Sequence, residues 1–273
     1  MLAHLVQLDI AWEDKAANFA RVRDLLGAAA VGAGDLVVLP EMFDTGFSFN
    51  LSKTNDADGR TLQFLVKLAQ QFGATIHGSR TVKGPDGRGR NRASVVGPAG
   101  EVLCEYDKVH PFTYGRESEF FSGGDQVRTY TWMRGPPSSV AADSNERTTV
   151  CPAICYDLRF PELFRRGMQM GAEVFALGAN WPLPRAAHRR TLSIARAIEN
   201  QAYMLCVNRA GRDPHLVYAG ASLAIGPKGD VLAEAGEDES VLSVEIDLAA
   251  LRAWRAEFPA WRDHRLLGEV SRL

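Results

Sequence analysis

Three short segments carry the side chains of this chain that are best suited to nucleophilic chemistry. Cys155 ends the apolar run 150–154, and Pro161, which can open a helix, follows within a few residues. This order predicts a thiol held at the tip of a strand, where a substrate can reach it. Glu41 follows an earlier apolar run, and Lys108 lies in a polar segment between the two. A thiol, a carboxylate and an ammonium group together can attack a carbonyl carbon.

The thiol needs both partners. Cysteine reacts as a thiolate, and its ordinary pKa of about 8.5 leaves little thiolate at neutral pH. A neighbouring carboxylate can accept the proton, and Glu41 is the candidate. A cation favours both the thiolate and the negative oxygen of a tetrahedral intermediate, and Lys108 suits both purposes. The backbone N–H of Tyr156, directly after the nucleophile, is predicted to be a second donor to that oxygen.

A cysteine–histidine pair is the competing arrangement, with His110 as the base. No segment resembles the cysteine signature of papain-like proteases, so His110 is predicted to be a structural hydrogen-bonding residue. Asp157 and Arg159 are expected to pair and to brace the turn that holds the nucleophile. The remaining cysteines fit no zinc-binding spacing and are predicted to be small core residues; they are Cys104, Cys151 and Cys206.

Composition narrows the class of protein. Apolar residues make up 46% of the 273 residues and charged residues 23%, which is ordinary for a globular protein with a sizeable core. The net charge of −2 gives no reason to expect nucleic acid or an anionic membrane as a partner. No apolar run approaches the roughly 18 residues needed to cross a bilayer, and the N-terminus does not resemble a signal peptide. We expect a cytoplasmic protein, a location that keeps a reactive thiol reduced.

The order of predicted elements indicates an α/β protein. A strand over 2–10 precedes a helix capped by Asp14, and an apolar run over 35–39 delivers Glu41 just past its end. A second amphipathic helix over 62–72 leads into a strand near 74–78. The later elements are a helix opened by Pro161, a strand over 174–177, a helix over 189–201 with Leu192, Ala195, Ile198 and Ala202 along one side, a strand over 241–246 and a short helix before an aromatic tail.

One turn sequence occurs in each half of the chain. Gly97-Pro98-Ala99-Gly100 lies between two apolar runs, and so does Gly226-Pro227-Lys228-Gly229. Proline second and glycine fourth favour a type I turn, so both segments are predicted to be hairpins. Two copies indicate two related βα layers rather than a solenoid. Loops are predicted at 83–90 and 134–139, but neither is long enough to divide domains, so residues 1–273 are predicted to form a single domain.

The three reactive segments resemble the Glu-Lys-Cys set of the nitrilase, or carbon–nitrogen hydrolase, superfamily. They read PEMF at 40–43, YDKVHPF at 106–112 and ICYDLRFPE at 154–162. Three further segments resemble the ω-amidase branch, namely ANWP at 179–182, ARAIENQAY at 195–203 and FPAW at 258–261. The resemblance implies a four-layer α-β-β-α sandwich without a metal or organic cofactor. It also implies a homodimer whose contact includes the helices near 161–170 and 189–201 and the C-terminal tail.

The resemblance implies a reaction sequence as well. Cys155 attacks a carboxamide carbon, a tetrahedral intermediate collapses to a thioester, and Glu41 protonates the departing ammonia. Water activated by Glu41 then releases the acid, while Lys108 stabilises the oxyanion. The family carries a second glutamate after the lysine, and counting along the chain favours Glu117 over Glu119 for that place.

The resemblance also indicates a substrate. Tyr156–Asp157 stands where true nitrilases usually have Trp-Glu, which favours an amidase. The ω-amidase likeness implies 2-oxoglutaramate or 2-oxosuccinamate, each with a carboxylate at its far end. A guanidinium group should then lie across the pocket from Cys155, and Arg185 is the candidate. Trp181 is predicted either to form an apolar wall of that pocket or to pack in the core, and Tyr114 is a candidate lid residue.

Other functions stay open at this point. Another amidase of the superfamily would act on N-carbamoyl amines or on an amide resembling deaminated glutathione. A non-catalytic family member would serve as a binding or assembly partner, although the intact set of Glu41, Lys108 and Cys155 argues against that.

Overall fold

The computed structural model describes residues 1–134 and 146–265, and within these ranges the chain forms two six-stranded sheets. In spatial order, the first sheet contains β12 (Ser240–Glu245), β1 (Leu2–Gln7), β2 (Leu36–Val38), β3 (Thr75–Lys83), β4 (Gly89–Val96) and β5 (Val102–Asp107). The second contains β11 (Val231–Glu234), β10 (Leu223–Ile225), β9 (Tyr203–Asn208), β8 (Val174–Ala179), β7 (Arg147–Ile154) and β6 (Tyr130–Met133).

The helices flank these sheets. They are α1 (Lys15–Ala28), α2 (Leu51–Thr54), α3 (Arg60–Phe72), α4 (Glu117–Phe120), α5 (Pro161–Gln169), α6 (Ala186–Asn200) and α7 (Leu248–Glu257). Short 3₁₀ turns cover Cys155–Arg159, Leu183–Arg185 and Ala260–Arg262. No helix within the described ranges is both long and apolar enough to cross a membrane.

Alternation along the central strands accounts for the layering. On β2, Leu36 and Val38 pack into the core between the two sheets, whereas Val37 packs into the core shared with α1 and α3. On β8, Val174 faces the other sheet and Phe175 faces the core beneath α5 and α6. Because these strands are buried on both faces, they read as continuous apolar runs in the sequence. The predicted α-β-β-α sandwich is confirmed.

The two sheets approach each other closely where β2 and β8 end. A Cβ atom built on Gly178 would lie 2.6 Å from the carbonyl oxygen of Leu39 and 3.0 Å from the backbone nitrogen of Glu41. Only a residue without a side chain permits this approach of backbone to backbone. The contact fixes the position of Glu41 relative to the second sheet.

Several predicted boundaries are confirmed. Asp14 caps α1 by accepting a hydrogen bond of 3.0 Å from the N–H of Ala17, and Pro161 is the first residue of α5. Both repeated turns close antiparallel hairpins, β4–β5 and β10–β11. The strand predicted over 2–10 ends at Gln7, because the chain leaves the first sheet and Asp9 bridges to Ala210 beside the second. The loop predicted at 134–139 lies outside the described residues apart from its first position.

The helix predicted over 189–201 is α6, and its buried residues are mostly polar. Ile198 is 49% exposed, whereas Arg189 donates to the carbonyl of Gly220 and Arg196 donates to that of Leu158. The surface beneath α6 presents backbone carbonyls that need donors, so polar side chains are buried there in place of apolar ones. The buried residues of α6 are Arg189, Ser193, Arg196, Ala197 and Asn200.

Candidate active site

The reactive side chains predicted from the sequence converge at the ends of strands. Glu41 lies three residues after β2, and Lys108 directly follows β5, so both belong to the first sheet. Cys155 directly follows β7 of the second sheet. The contact between the sheets therefore brings a carboxylate and an ammonium group to the thiol.

Lys108 is the centre of a buried charged cluster. Its Nζ lies 2.8 Å from Oε1 of Glu41 and 2.8 Å from Oε2 of Glu117. Burial opposes the charged form of this lysine, but the carboxylates of Glu117 and Glu41 outweigh it and place the pKa of Lys108 above its ordinary value. Lys108 is therefore an ammonium ion throughout the neutral range.

Two asparagines fix the Glu41 carboxylate, which is fully buried. The Asn91 side chain donates to Oε1 at 2.8 Å, and the backbone N–H of Asn180 donates to Oε2 at 2.9 Å. The side-chain amide of Asn180 also donates to the Glu41 carbonyl at 2.6 Å. Both carboxylate oxygens thus have defined partners before any substrate enters.

The second glutamate at the cluster is Glu117. Its Oε2 accepts the N–H of Phe112 at 2.6 Å in addition to the Lys108 ammonium. Burial raises the pKa of Glu117 above its ordinary value, although Lys108 opposes that shift. Glu119 lies elsewhere, half-exposed and paired with Arg116 at 2.7 Å. The structure therefore places Glu117, and not Glu119, beside Lys108.

Cys155 lies on a sharp turn between β7 and α5. Its backbone φ of +44° is in the left-handed region, which is uncommon for residues other than glycine and costs about 1 kcal/mol. Asp157 holds the turn, because its carboxylate accepts the N–H of Ile154 at 2.9 Å and the hydroxyl of Tyr106 at 2.7 Å. The strained backbone presents the thiol beyond the strand end, as the sequence predicts.

The charge state of Cys155 differs from the simple expectation that a nearby lysine yields a thiolate. Burial raises the pKa of the thiol well above its ordinary value, and the charge of Glu41 raises it further. Lys108 lowers the pKa, but it does not outweigh the other two effects. Cys155 is therefore a neutral thiol at rest. The other three cysteines are buried free thiols, as predicted.

The expected pairing of Asp157 with Arg159 is wrong. Asp157 is fully buried, and its Oδ1 accepts from the His110 backbone at 3.0 Å and lies 2.9 Å from His110 Nδ1. The His110 ring stacks on Phe160 with 3.7 Å between centroids, which suits a structural role. Arg159 points away from Asp157, and its guanidinium lies 4.9 Å from the Trp181 ring centroid.

A pocket opens above the thiol. Tyr156, Trp181 and Arg185, which the sequence predicts as substrate-binding residues, all line it together with Cys155. Trp181 thus serves as a wall of the pocket, although it is only 3% exposed. The remaining lining residues are Phe47, Phe112, Arg159, Asn180, Pro182, Leu216 and Tyr218.

Two guanidinium groups face this pocket over aromatic rings. Arg159 lies over Trp181, and Arg185 lies 5.5 Å from the centroid of Phe112. Tyr114, the candidate lid residue, is 84% exposed, and its ring centroid lies 6.0 Å from the guanidinium carbon of Arg185. Neither arginine forms an ion pair with a carboxylate in the part of the chain that the structure describes.

Sequence reasoning missed several residues of the site. Arg159 and Asn180 stand inside the quoted motifs, so their positions in those motifs could have indicated them. Asn91 lies in the interior of β4 among arginines, and no local pattern distinguishes it from a structural residue. Within the described ranges, no group of three or more His, Cys, Asp or Glu side chains could hold a metal ion.

Comparison with known proteins decides the family. The sequence model of the carbon-nitrogen hydrolase family matches residues 2–256. The chain belongs to the carbon-nitrogen hydrolase family. Membership of the nitrilase superfamily, predicted from the three reactive segments, is thereby confirmed.

Individual carbon-nitrogen hydrolases support the same assignment. A 2-oxoglutaramate amidase of Bacillus subtilis is 34% identical over 262 residues, which covers 95% of this chain and 96% of that protein. The omega-amidase YafV of Escherichia coli is 35% identical, with 95% and 94% covered. A crystal structure of XC1258 from Xanthomonas campestris, described as a CN-hydrolase superfamily protein with an arsenic adduct in the active site, superposes with a TM-score of 0.86 at 34% identity and covers 98% of this chain and 99% of that one. The predicted likeness to the ω-amidase branch is confirmed.

Proposed function

We propose that this carbon–nitrogen hydrolase is an ω-amidase. It converts 2-oxoglutaramate or 2-oxosuccinamate to the 2-oxo dicarboxylate and ammonia through a thioester on Cys155. The observation that carries the proposal is the buried Lys108 ammonium, held 2.8 Å from Glu41, next to a pocket lined by Cys155. The relatives named 2-oxoglutaramate amidase and omega-amidase support this choice of substrate.

The first half-reaction forms the thioester. Because the resting thiol is neutral, its proton moves to the Glu41 carboxylate as sulfur bonds to the amide carbon. The carbonyl π pair moves to oxygen, where Lys108 and the backbone N–H of Tyr156 stabilise the negative charge. Glu41 then passes the proton to the amide nitrogen, the C–N bond breaks, and ammonia leaves.

The second half-reaction regenerates the thiol. Water enters where ammonia departed, and Glu41 accepts one of its protons as oxygen bonds to the thioester carbon. The C–S bond breaks, and the sulfur recovers the proton from Glu41. Glu117 touches neither reacting atom in this scheme. It holds the Lys108 ammonium in place and contributes to the charge that keeps it protonated.

The wall of the pocket accounts for the far end of the substrate. A carboxylate needs a guanidinium or several N–H donors once it leaves water. Arg185 and Arg159 both face the pocket without a carboxylate partner among the described residues, and Tyr156 and Trp181 form apolar surfaces beside them. We assign the carboxylate of the substrate to this pair of arginines, with Arg185 as the first contact.

A panel of small amides tests the proposed function. Purified protein is supplied with 2-oxoglutaramate, 2-oxosuccinamate, an N-carbamoyl amine, a deaminated-glutathione-like amide and butyramide, and ammonia and carbon dioxide are both measured. We expect ammonia without carbon dioxide, with the highest kcat/KM for the two 2-oxo acids. Equal rates for butyramide would remove the carboxylate assignment. Release of ammonia from no amide would favour a binding protein instead.

Quaternary structure and location are proposed on the same basis. We propose a cytoplasmic homodimer of single-domain subunits (residues 1–273), with no metal or organic cofactor. The exposed apolar side chains of Ile198 on α6 and Phe258 after α7 support a contact on that side, because they are 49% and 56% exposed in the single chain. A sedimentation mass equal to one chain of 29.9 kDa would rule the dimer out.

A further inference from the structure

Asn91 connects all three members of the buried charged cluster. Its side-chain amide donates to Oε1 of Glu41 at 2.8 Å and to Oε1 of Glu117 at 3.2 Å. Its backbone carbonyl accepts the N–H of Lys108 at 2.9 Å. Asn91 is 2% exposed and lies in the interior of β4, so the sheet itself holds it in place.

The orientation of the Asn91 amide follows from its neighbours. Two carboxylates accept hydrogen bonds only, so the NH₂ group and not the oxygen must face them. The amide oxygen consequently points the other way, and it is buried without a hydrogen-bond partner among the described residues. An unpartnered buried acceptor destabilises the folded protein. That cost indicates that the two bonds to the carboxylates are what places an asparagine here.

The arrangement makes the two oxygens of Glu41 unequal. Oε1 accepts from both Lys108 Nζ and Asn91 Nδ2, which occupies its two lone pairs. Oε2 accepts the backbone N–H of Asn180, and the Cys155 side chain also hydrogen-bonds the Glu41 carboxylate. Because both lone pairs of Oε1 are occupied, the second lone pair of Oε2 is the one available to the thiol. An oxygen with a free lone pair is the better proton acceptor.

We propose that Asn91 is a positioning residue that directs the proton released by the Cys155 thiol to Oε2 of Glu41. The inference rests on the proposed hydrolase function and deepens it. The S–H bond of Cys155 breaks and an O–H bond forms at Oε2; this bond then breaks as the proton passes to the amide nitrogen. Asn91 gains and loses no proton, and it acts only through Glu41.

Two substitutions at this position separate the possibilities. Asn91→Ala removes the donor, and Asn91→Asp keeps the shape but turns a third carboxyl group toward the other two. For Asn91→Ala we expect kcat to fall about 100-fold with KM nearly unchanged, because a misplaced proton carrier affects the chemical step. The pH dependence of kcat/KM should change as well, because the proton acceptor is no longer held in one orientation. Asn91→Asp should lose more activity than Asn91→Ala.

A buried asparagine elsewhere provides the control. Asn200 on α6 is fully buried, donates to the Arg196 carbonyl at 2.9 Å and also has an unpartnered amide oxygen, but it contacts no residue of the site. Asn200→Ala should lower the melting temperature without moving the pH profile. If Asn91→Ala purifies poorly, the isosteric Asn91→Asp carries the test with the same readouts.

The outcomes distinguish this proposal from the proposed function. Wild-type protein that releases ammonia, with an Asn91→Ala variant of unchanged kcat and pH profile, would overturn the role of Asn91 alone. A variant that loses activity only through KM would overturn it as well. If wild-type protein releases no ammonia, or if Cys155→Ala retains release, the hydrolase mechanism fails and the positioning role fails with it.

Discussion

The buried charged cluster around Lys108 and the wall of the pocket beside it hold their charges in different ways. The cluster, called the floor from here on, consists of Glu41, Lys108, Glu117 and Asn91. Each of its charged groups has partners at hydrogen-bond distance. The wall carries Arg159 and Arg185, whose guanidinium groups lie over the rings of Trp181 and Phe112. Every charged group of the floor is paired within the protein, whereas the wall presents cations that a substrate carboxylate could pair with.

From this difference we expect the floor to govern the chemical step and the wall to govern the choice of substrate. Charges that must act on the reacting atoms are fixed by a closed network, so the protein does not have to reorganise them during the reaction. Cations that lie over aromatic faces gain about 0.5–2 kcal/mol each from those contacts, and a charged ligand adds more. We therefore expect substitutions in the floor to act on kcat and substitutions in the wall to act on KM.

Loss of the proposed nucleophile should have the largest effect. Cys155→Ala is expected to reduce ammonia release by about 10⁴-fold or more, since it removes the atom that forms the covalent bond. The sheets do not depend on this thiol, so circular dichroism and the melting temperature should stay close to those of the wild type. A variant that kept even a tenth of the wild-type rate would show that another group attacks the substrate.

Removal of the proposed proton acceptor should have the second largest effect. Glu41→Gln keeps the shape of the floor and is expected to lower kcat by about 10³-fold, within the usual range for general acid–base catalysis. The same change should make Cys155 more reactive toward iodoacetamide, because the charge of Glu41 helps to hold the pKa of the thiol high. Alkylation rates measured from pH 6 to 9, with Cys155→Ala as the blank, should therefore rise at lower pH in Glu41→Gln than in the wild type.

The two neighbouring glutamates form a matched pair. Glu117→Gln should reduce kcat by about 100-fold, because Lys108 loses one of its two carboxylate partners and its fixed position. Glu119→Gln should leave turnover unchanged, because that side chain is half-exposed and contacts only Arg116. Equal effects of the two substitutions, assayed side by side for ammonia release, would contradict the architecture described for the floor.

The wall should show the smallest effects and a different signature. Arg185→Ala and Arg159→Ala are each expected to raise KM for 2-oxoglutaramate by about 10-fold or more, with a smaller change in kcat, because each removes a charge-assisted hydrogen bond. Butyramide, which has no carboxylate, provides the internal control, and its kcat/KM should hardly change. A fall in kcat/KM for both amides would mean that these arginines shape the floor rather than read the substrate.

The sequence carried more information about the floor than about the wall. Apolar runs predicted that Glu41 and Cys155 follow strands, whereas Lys108 was identified by the resemblance of its segment to the nitrilase superfamily; in the structure each of the three follows a strand. Glu117 could be separated from Glu119 by counting, and the structure brings Glu117 to Lys108. The pairing of Asp157 with Arg159 could not be judged from adjacency, because one side chain turns into the core and the other into the pocket.

Burial of polar groups was the main source of error. The burial of Arg189 and Arg196 on α6 was not predicted, because these side chains donate to backbone carbonyls that a single sequence does not reveal. Asn91 was not predicted either, because its hydrogen-bond partners are 50 and 26 residues away in the chain. The single domain, the homodimer and the cytoplasmic location stay predictions.

Gly178 has no side chain, so the two sheets can pack closely beside it, and we expect activity to depend on that packing. Glu41 and Lys108 are borne by one sheet and Cys155 by the other, and they meet across an approach too tight for any larger residue. Mild denaturant or hydrostatic pressure that loosens the contact between the two sheets should abolish activity. Far-ultraviolet circular dichroism spectra should still show intact strands. Loss of activity should therefore report weakening of the contact between the sheets before the protein unfolds.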